Sequence, residues 1–157
     1  DRSAKIDQVV EVRLTEDFRN YTLDAPTGLK YTLDLGDSLS TNAKILCESL
    51  FKKTVVTNGI TPAEGVDMIL IPKVGFHDKT QAAYGFQEVE MEIHVEWKLL
   101  CNKGELLWVD TIKGVGREKM GGPFSFEENT KKQIRRAMAD MFTNAHSSIL
   151  YAVNFVE

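Results

Sequence analysis

Residues 87–101 read QEVEMEIHVEWKLLC, and no other stretch limits the fold of this chain so tightly. Val89, Met91, Ile93, Val95, Trp97 and Leu99 occupy every second position, and Glu88, Glu90, Glu92, His94, Glu96 and Lys98 fill the places between. Side chains alternate faces along a strand, so period two sorts this segment into one apolar and one charged face. The pattern predicts a long antiparallel strand lying on a core, its other face wet or covered by a partner. A turn over 102–105 follows, with Gly104 supplying a positive φ, and residues 106–119 return as a second strand. A two-residue loop at Lys103-Gly104 sets Leu99 against Trp108, Val95 against Ile112, His94 against Lys113 and Glu90 against Arg117. A loop one residue longer sets Trp97 against Val109 but Ile93 against Lys113. The shorter loop pairs apolar with apolar and acid with base, and is preferred.

The rest of the chain supplies what such a hairpin packs against. Leu39, Ala43, Leu46 and Leu50 recur at spacings of four, three and four, one helical stripe, which Phe51 extends. Asp37 or Ser38 is placed to cap it, and Lys52 and Lys53 to complement its negative end. A second, longer stripe runs through Ile134, Met138, Met141, Ala145, Ile149 and Ala152, opened by a capping box of Ser125 and Glu128, with Lys131, Lys132, Arg135 and Arg136 on the early outer face. Strands are expected over 5–14, with blurred alternation, 30–35, 54–57 and 66–74. The last has a continuous apolar middle, as in a strand buried on both faces, and Pro72 should place its end at an edge or bulge. Residues 15–29 read as a long connection or an irregular edge hairpin. Two amphipathic helices and one mainly antiparallel sheet make an α+β two-layer sandwich, a single domain over 1–157, with both helices on the apolar face.

Composition narrows the function classes. A 157-residue chain buries about two-thirds of its unfolded surface as one domain. A formal charge of -4 argues against a nucleic-acid partner. No run reaches the roughly 18 apolar residues of a membrane span. The chain opens on Asp1 without Met, which fits either a processed chain, once preceded by a signal peptide, or a trimmed one. Two cysteines are too few for a disulfide framework. Cys47 and Cys101 read as small buried hydrophobes, expected as free thiols; a disulfide between helix and sheet would need an oxidising compartment. His77, His94 and His146 show no metal-ligand spacing, so neither metal nor cofactor is expected. Glu90 and Glu92 neighbour one another on a strand face, but beside Lys and Arg both should stay ionised and do no acid–base work. Gly114-Val115-Gly116 and Gly121-Gly122 lack the Lys-Ser/Thr of a phosphate loop, and no nucleophile-elbow motif occurs. No catalytic residue emerges, and the expectation is a protein without enzymatic activity. The candidate site is a docking surface: the acidic row Glu88, Glu90, Glu92 and Glu96, with the aromatic loop residues Phe76, Tyr84, Phe86, Phe124 and Phe126 as anchors. A small-ligand pocket between the sheet and the last helix is the alternative.

Three segments carry a family pattern. GDSLSTNAKILCESLFKKTVV leads into a strand, VDMILIPKVGF follows, and VEWKLLCNKGELLWVDTIKGVGR precedes the long final helix. Leu50-Phe51 before a β segment, Asp67 to Leu70, and a hairpin from Trp97 to Trp108 are the matching positions. In this the chain resembles small bacterial cell-envelope lipoproteins of the YajG kind. It is similar in layout to the TolB N-terminal-like modules of exopolysaccharide and curli secretion lipoproteins. The resemblance spans about residues 30–153 and implies no catalytic residue. It implies a periplasmic, outer-membrane-tethered subunit that binds other envelope proteins or itself. Asp1 is not the lipid-bearing Cys of such a protein, so the anchor would lie just upstream.

Overall fold

The computed structural model describes residues 5–24, 32–59, 63–79, 88–119 and 126–156. In chain order they form β1 (Ile6–Arg13), α1 (Glu16–Arg19), β2 (Thr22–Asp24), β3 (Thr32–Asp34), α2 (Gly36–Leu50), β4 (Phe51–Thr57), β5 (Met68–Lys79), β6 (Glu88–Cys101), β7 (Leu106–Lys119) and α3 (Phe126–Phe155). The fold is α+β, with a five-stranded sheet ordered β4-β1-β5-β6-β7 and a separate antiparallel β2-β3 pair. The parallel pairings belong to β1, which lies alongside both β4 and β5. Contacts gather into two compact units: residues 1–73, 97–110 and 156–157, and residues 74–96 and 111–155.

In the first unit, β1 explains its own blurred pattern. It is an inner strand, and both Val10 and Glu11, which face opposite ways, are fully buried. A strand covered on both faces has no wet side to alternate with. Asp67 fixes the entry of β5 beside it: its Oδ2 accepts from Val9 N–H at 2.8 Å, and its own N–H donates to Val9 O at 2.9 Å. The pairing of β5 with β1 ends at Val12 and Leu70. Pro72 comes after that last pair, where the missing N–H costs β1 no ladder bond.

The stripe of α2 is buried as its spacing requires: Leu39, Ala43, Leu46, Cys47 and Leu50 are all within the core. Truncating a leucine at such a place costs about 2–5 kcal/mol. Both ends of this helix differ from expectation. It starts at Gly36, after Leu35, and the carboxylate that caps it is Asp34, whose Oδ1 accepts from Gly36 N–H at 3.1 Å; Asp37 and Ser38 already lie inside the first turn. It stops at Leu50, and Phe51 begins β4 directly, so Lys52 and Lys53 are strand residues and not helix-end cations.

Alternation in β6 holds from Glu90 to Leu99. Met91, Ile93, Val95, Trp97 and Leu99 are buried, while Glu90, Glu92, His94 and Glu96 are half-buried and Lys98 is exposed. The hairpin closes on the longer loop. Cys101 N–H donates to Glu105 O and Gly104 N–H to Cys101 O, both at 2.9 Å, with Gly104 at φ +86°. Asn102, Lys103 and Gly104 thus make a three-residue turn ending in a left-handed residue. Farther along β7 the buried positions are Ile112, Gly114 and Gly116, the set the shorter loop predicts. The extra residue at the turn is therefore absorbed by a bulge within β7.

In the second unit, α3 sits directly on β7. A Cβ placed on Gly114 would lie 2.0 Å from Ala137 O and 2.3 Å from Met141 N; one on Gly116 would lie 2.0 Å from Gln133 O. The two glycines are the seat of a helix, and at these positions no space remains between strand and helix for a ligand. Ile134, Met138, Met141, Ala145, Ile149 and Ala152 are buried, as their spacing predicts. Ser125 of the expected capping box lies outside the described residues.

Candidate functional site

The charged face of β6 is a network. Arg117 Nε donates to Glu90 Oε2 at 2.8 Å, the cross-strand pair expected from the sequence. Glu92 does not stand free for a partner: Oε2 is 3.0 Å from His94 Nε2, and Oε1 is 3.6 Å from Lys113 Nζ. Lys113 thus pairs with Glu92, where His94 was expected. The hydrogen bond from His94 holds the Glu92 carboxyl below the usual carboxylate range, against the opposing effect of burial and with help from Lys113. Both acids keep a side chain about a third or less exposed, 34% for Glu90 and 27% for Glu92, so the row is less open than alternation alone implies. Glu96 is half-buried and also engaged. Phe76 lies in β5 and Phe126 opens α3, so neither is the loop residue expected; their side chains and that of Glu88, and the residues Tyr84, Phe86 and Phe124, lie outside what is described.

A second polar arrangement runs along α3. Arg136 Nη1 donates to Arg117 O at 2.6 Å, Val115 N–H donates to Asp140 Oδ2 at 2.9 Å, and Asn144 Nδ2 donates to Lys113 O at 3.0 Å. Helix residues four apart are about 6 Å apart along the axis, and strand residues two apart about 6.6 Å, so the two series stay in step. Residues 113, 115 and 117 point their backbone groups the same way, and β7 is the last strand of the sheet. Three side chains of α3 therefore occupy, for this length, the ladder positions a sixth strand would take. Arg136 also pairs with Glu118 at 2.8 Å. Arg136, expected on the early outer face of the helix, thus reaches the strand edge.

The third arrangement was not anticipated. Glu11 is fully buried in β1. Its carboxylate accepts from Thr57 Oγ1, from Arg13 Nε at 3.1 Å and Nη2 at 3.5 Å, and from Ala63 N–H at 2.9 Å. Burial pushes its pKa up, but the bonds from Thr57, Arg13 and Ala63 outweigh this and hold the group below its ordinary value. A carboxylate so saturated clamps residue 63 and the end of β4 to β1; it has no lone pair left to take a substrate proton. Nothing in VVEVRL distinguishes such a group from a solvated strand acid.

Cys47 is buried in α2 and Cys101 is half-buried at the end of β6, and both are free thiols. Burial, with the Glu48 charge beside it, pushes the Cys47 thiol up to about 12. Among the described residues, no three His, Cys, Asp or Glu side chains gather as a metal site would require, and no helix is long and apolar enough to cross a membrane.

No family model and no curated protein matches the chain. Solved structures do. A Xanthomonas campestris protein of the DUF330 family superposes with a TM-score of 0.65 at 8% identity, covering 96% of this chain and 88% of its own. A minor lipoprotein from Acinetobacter baumannii superposes with a TM-score of 0.54 at 14% identity, covering 96% of this chain and 95% of its own. At these identities what is shared is the fold.

Proposed function

We propose that this chain is the folded domain of an envelope lipoprotein, held at the outer membrane on the periplasmic side by an upstream lipid anchor, and that it acts as a structural or assembly subunit rather than an enzyme. The observation that carries the reading is the fold, shared over 96% of this chain and 95% of the Acinetobacter minor lipoprotein. The state of its carboxylates agrees with a non-enzymatic role. Glu11 and Glu92 are each held ionised by neighbours, whereas a general acid needs its pKa raised toward neutrality. Its partners are other envelope proteins or further copies of itself. The charged face of β6 is the docking surface, with Glu88, Glu90, Glu92 and Glu96 setting approach, and Phe76 of β5, Phe126 of α3 and the residues Tyr84, Phe86 and Phe124 supplying apolar anchors.

The test is site-specific photocrosslinking in cells, with the photoreactive residue placed at Glu96 on this face or at Lys103 in the hairpin turn. The expected result is a discrete set of adducts with envelope proteins from Glu96 and none from Lys103. Equal, diffuse labelling from both positions would remove this face as the docking surface.

A further inference from the structure

β7 spans 14 residues and is the last strand of its sheet. A bare edge of that length is a template for the strand of another molecule. The bulge between the turn and Ile112 breaks its first half, and bulges blunt an edge. The second half has no such feature. Gly114 and Gly116 are required there by the helix they seat, and glycine-rich strands hold their register weakly. The charges of this stretch do not protect it either. Lys113 and Arg117 are turned inward along the sheet face, to Glu92 and Glu90 of β6.

What covers the stretch is α3 itself. Lys113 O accepts from Asn144, Val115 N–H donates to Asp140 and Arg117 O accepts from Arg136, whose guanidinium is also held by Glu118 at 2.8 Å. Asp and Asn are among the poorer helix formers, so α3 carries residues 140 and 144 at a cost that these strand contacts offset. We propose that Arg136, Asp140 and Asn144 guard the sheet edge: they fill the hydrogen-bonding positions of β7 over 113–117 and keep the strand of a second copy of this chain from adding there. One helix thus creates the weak stretch, by requiring two glycines, and covers it. The guard and the docking face of β6 are separate, and either can fail without the other.

The test joins amide exchange to sedimentation velocity on Asp140→Ala/Asn144→Ala. In dilute wild type the Val115 amide should be protected, and in the variant it should exchange about tenfold faster or more. At higher concentration the variant, shown to be folded by circular dichroism, should sediment with a larger mass than wild type at the same concentration. Asp140→Asn keeps an acceptor oxygen at the site and should behave as wild type in both measurements. Leu50→Ala loosens the core at α2 and leaves the edge alone, so it should associate no more than wild type. A Val115 amide that exchanges freely in wild type overturns the proposal. So does a folded Asp140→Ala/Asn144→Ala variant that associates no more than wild type, or one matched in association by Leu50→Ala.

Discussion

Glu11 is the residue whose chemistry is most constrained. A carboxylate with no exposure survives in a core because Arg13, Thr57 and the Ala63 N–H satisfy it together. Removing one member leaves the others buried and unpaired, so Glu11→Ala should lower stability by about 3–5 kcal/mol, measured by urea unfolding at neutral pH. The pH dependence has a definite sign. Because the folded-state pKa lies below the unfolded one, Glu11 contributes its full stabilisation above the ordinary carboxylate value of about 4.3 and loses it as pH falls through the lowered value. The stability difference between wild type and Glu11→Gln should therefore shrink as pH drops from about 5 towards 2. A difference that stays constant over that window would mean the carboxylate is not held ionised. The thiols make a second prediction. With its pKa near 12 and no exposure, Cys47 should be inert to a thiol reagent at pH 8 in the native protein, while Cys101 reacts. One equivalent should titrate before denaturant is added and the second only after.

At the scale of elements, the contact of α3 with β7 makes the sharpest claim. Gly114 and Gly116 let helix backbone lie where a Cβ would be, so Gly114→Ala cannot be absorbed by a side-chain rotation. It should cost about 1–3 kcal/mol or more and lower Tm by several degrees, with faster amide exchange in α3 than elsewhere. An unchanged Tm would mean the helix does not rest on these glycines. What the sequence disclosed of these elements follows one rule. A segment with one wet face prints its period, which is why the buried faces of β6, α2 and α3 were legible down to Trp97, Leu50 and Met141. A segment covered on both sides does not: β1 gave only a blurred pattern, and Glu11 passed as an ordinary polar position. Ends of elements were read poorly because neighbouring caps compete. Asp34 stands two residues before Gly36 and takes the role assigned to Asp37 or Ser38. The three-residue turn defeated a register argument that assumed regular strands, since a bulge in β7 restores the acid–base match that the turn displaces. The role of Arg136, Asp140 and Asn144 was illegible for another reason: polar residues at helical spacing look alike whether they face water or a strand edge.

For the whole molecule, the function proposed above is that of an α+β domain that is tethered and bound rather than one that turns over a substrate. The tether is the claim on which location and partners both depend. Its direct measurement is metabolic labelling of the full-length gene product, expressed from its own start codon in a bacterial host, with an alkyne-bearing fatty acid, followed by density separation of inner and outer membranes. Fatty-acid label on the protein and its recovery with the outer membrane are the expected result. An unlabelled protein that fractionates away from the membranes would contradict it.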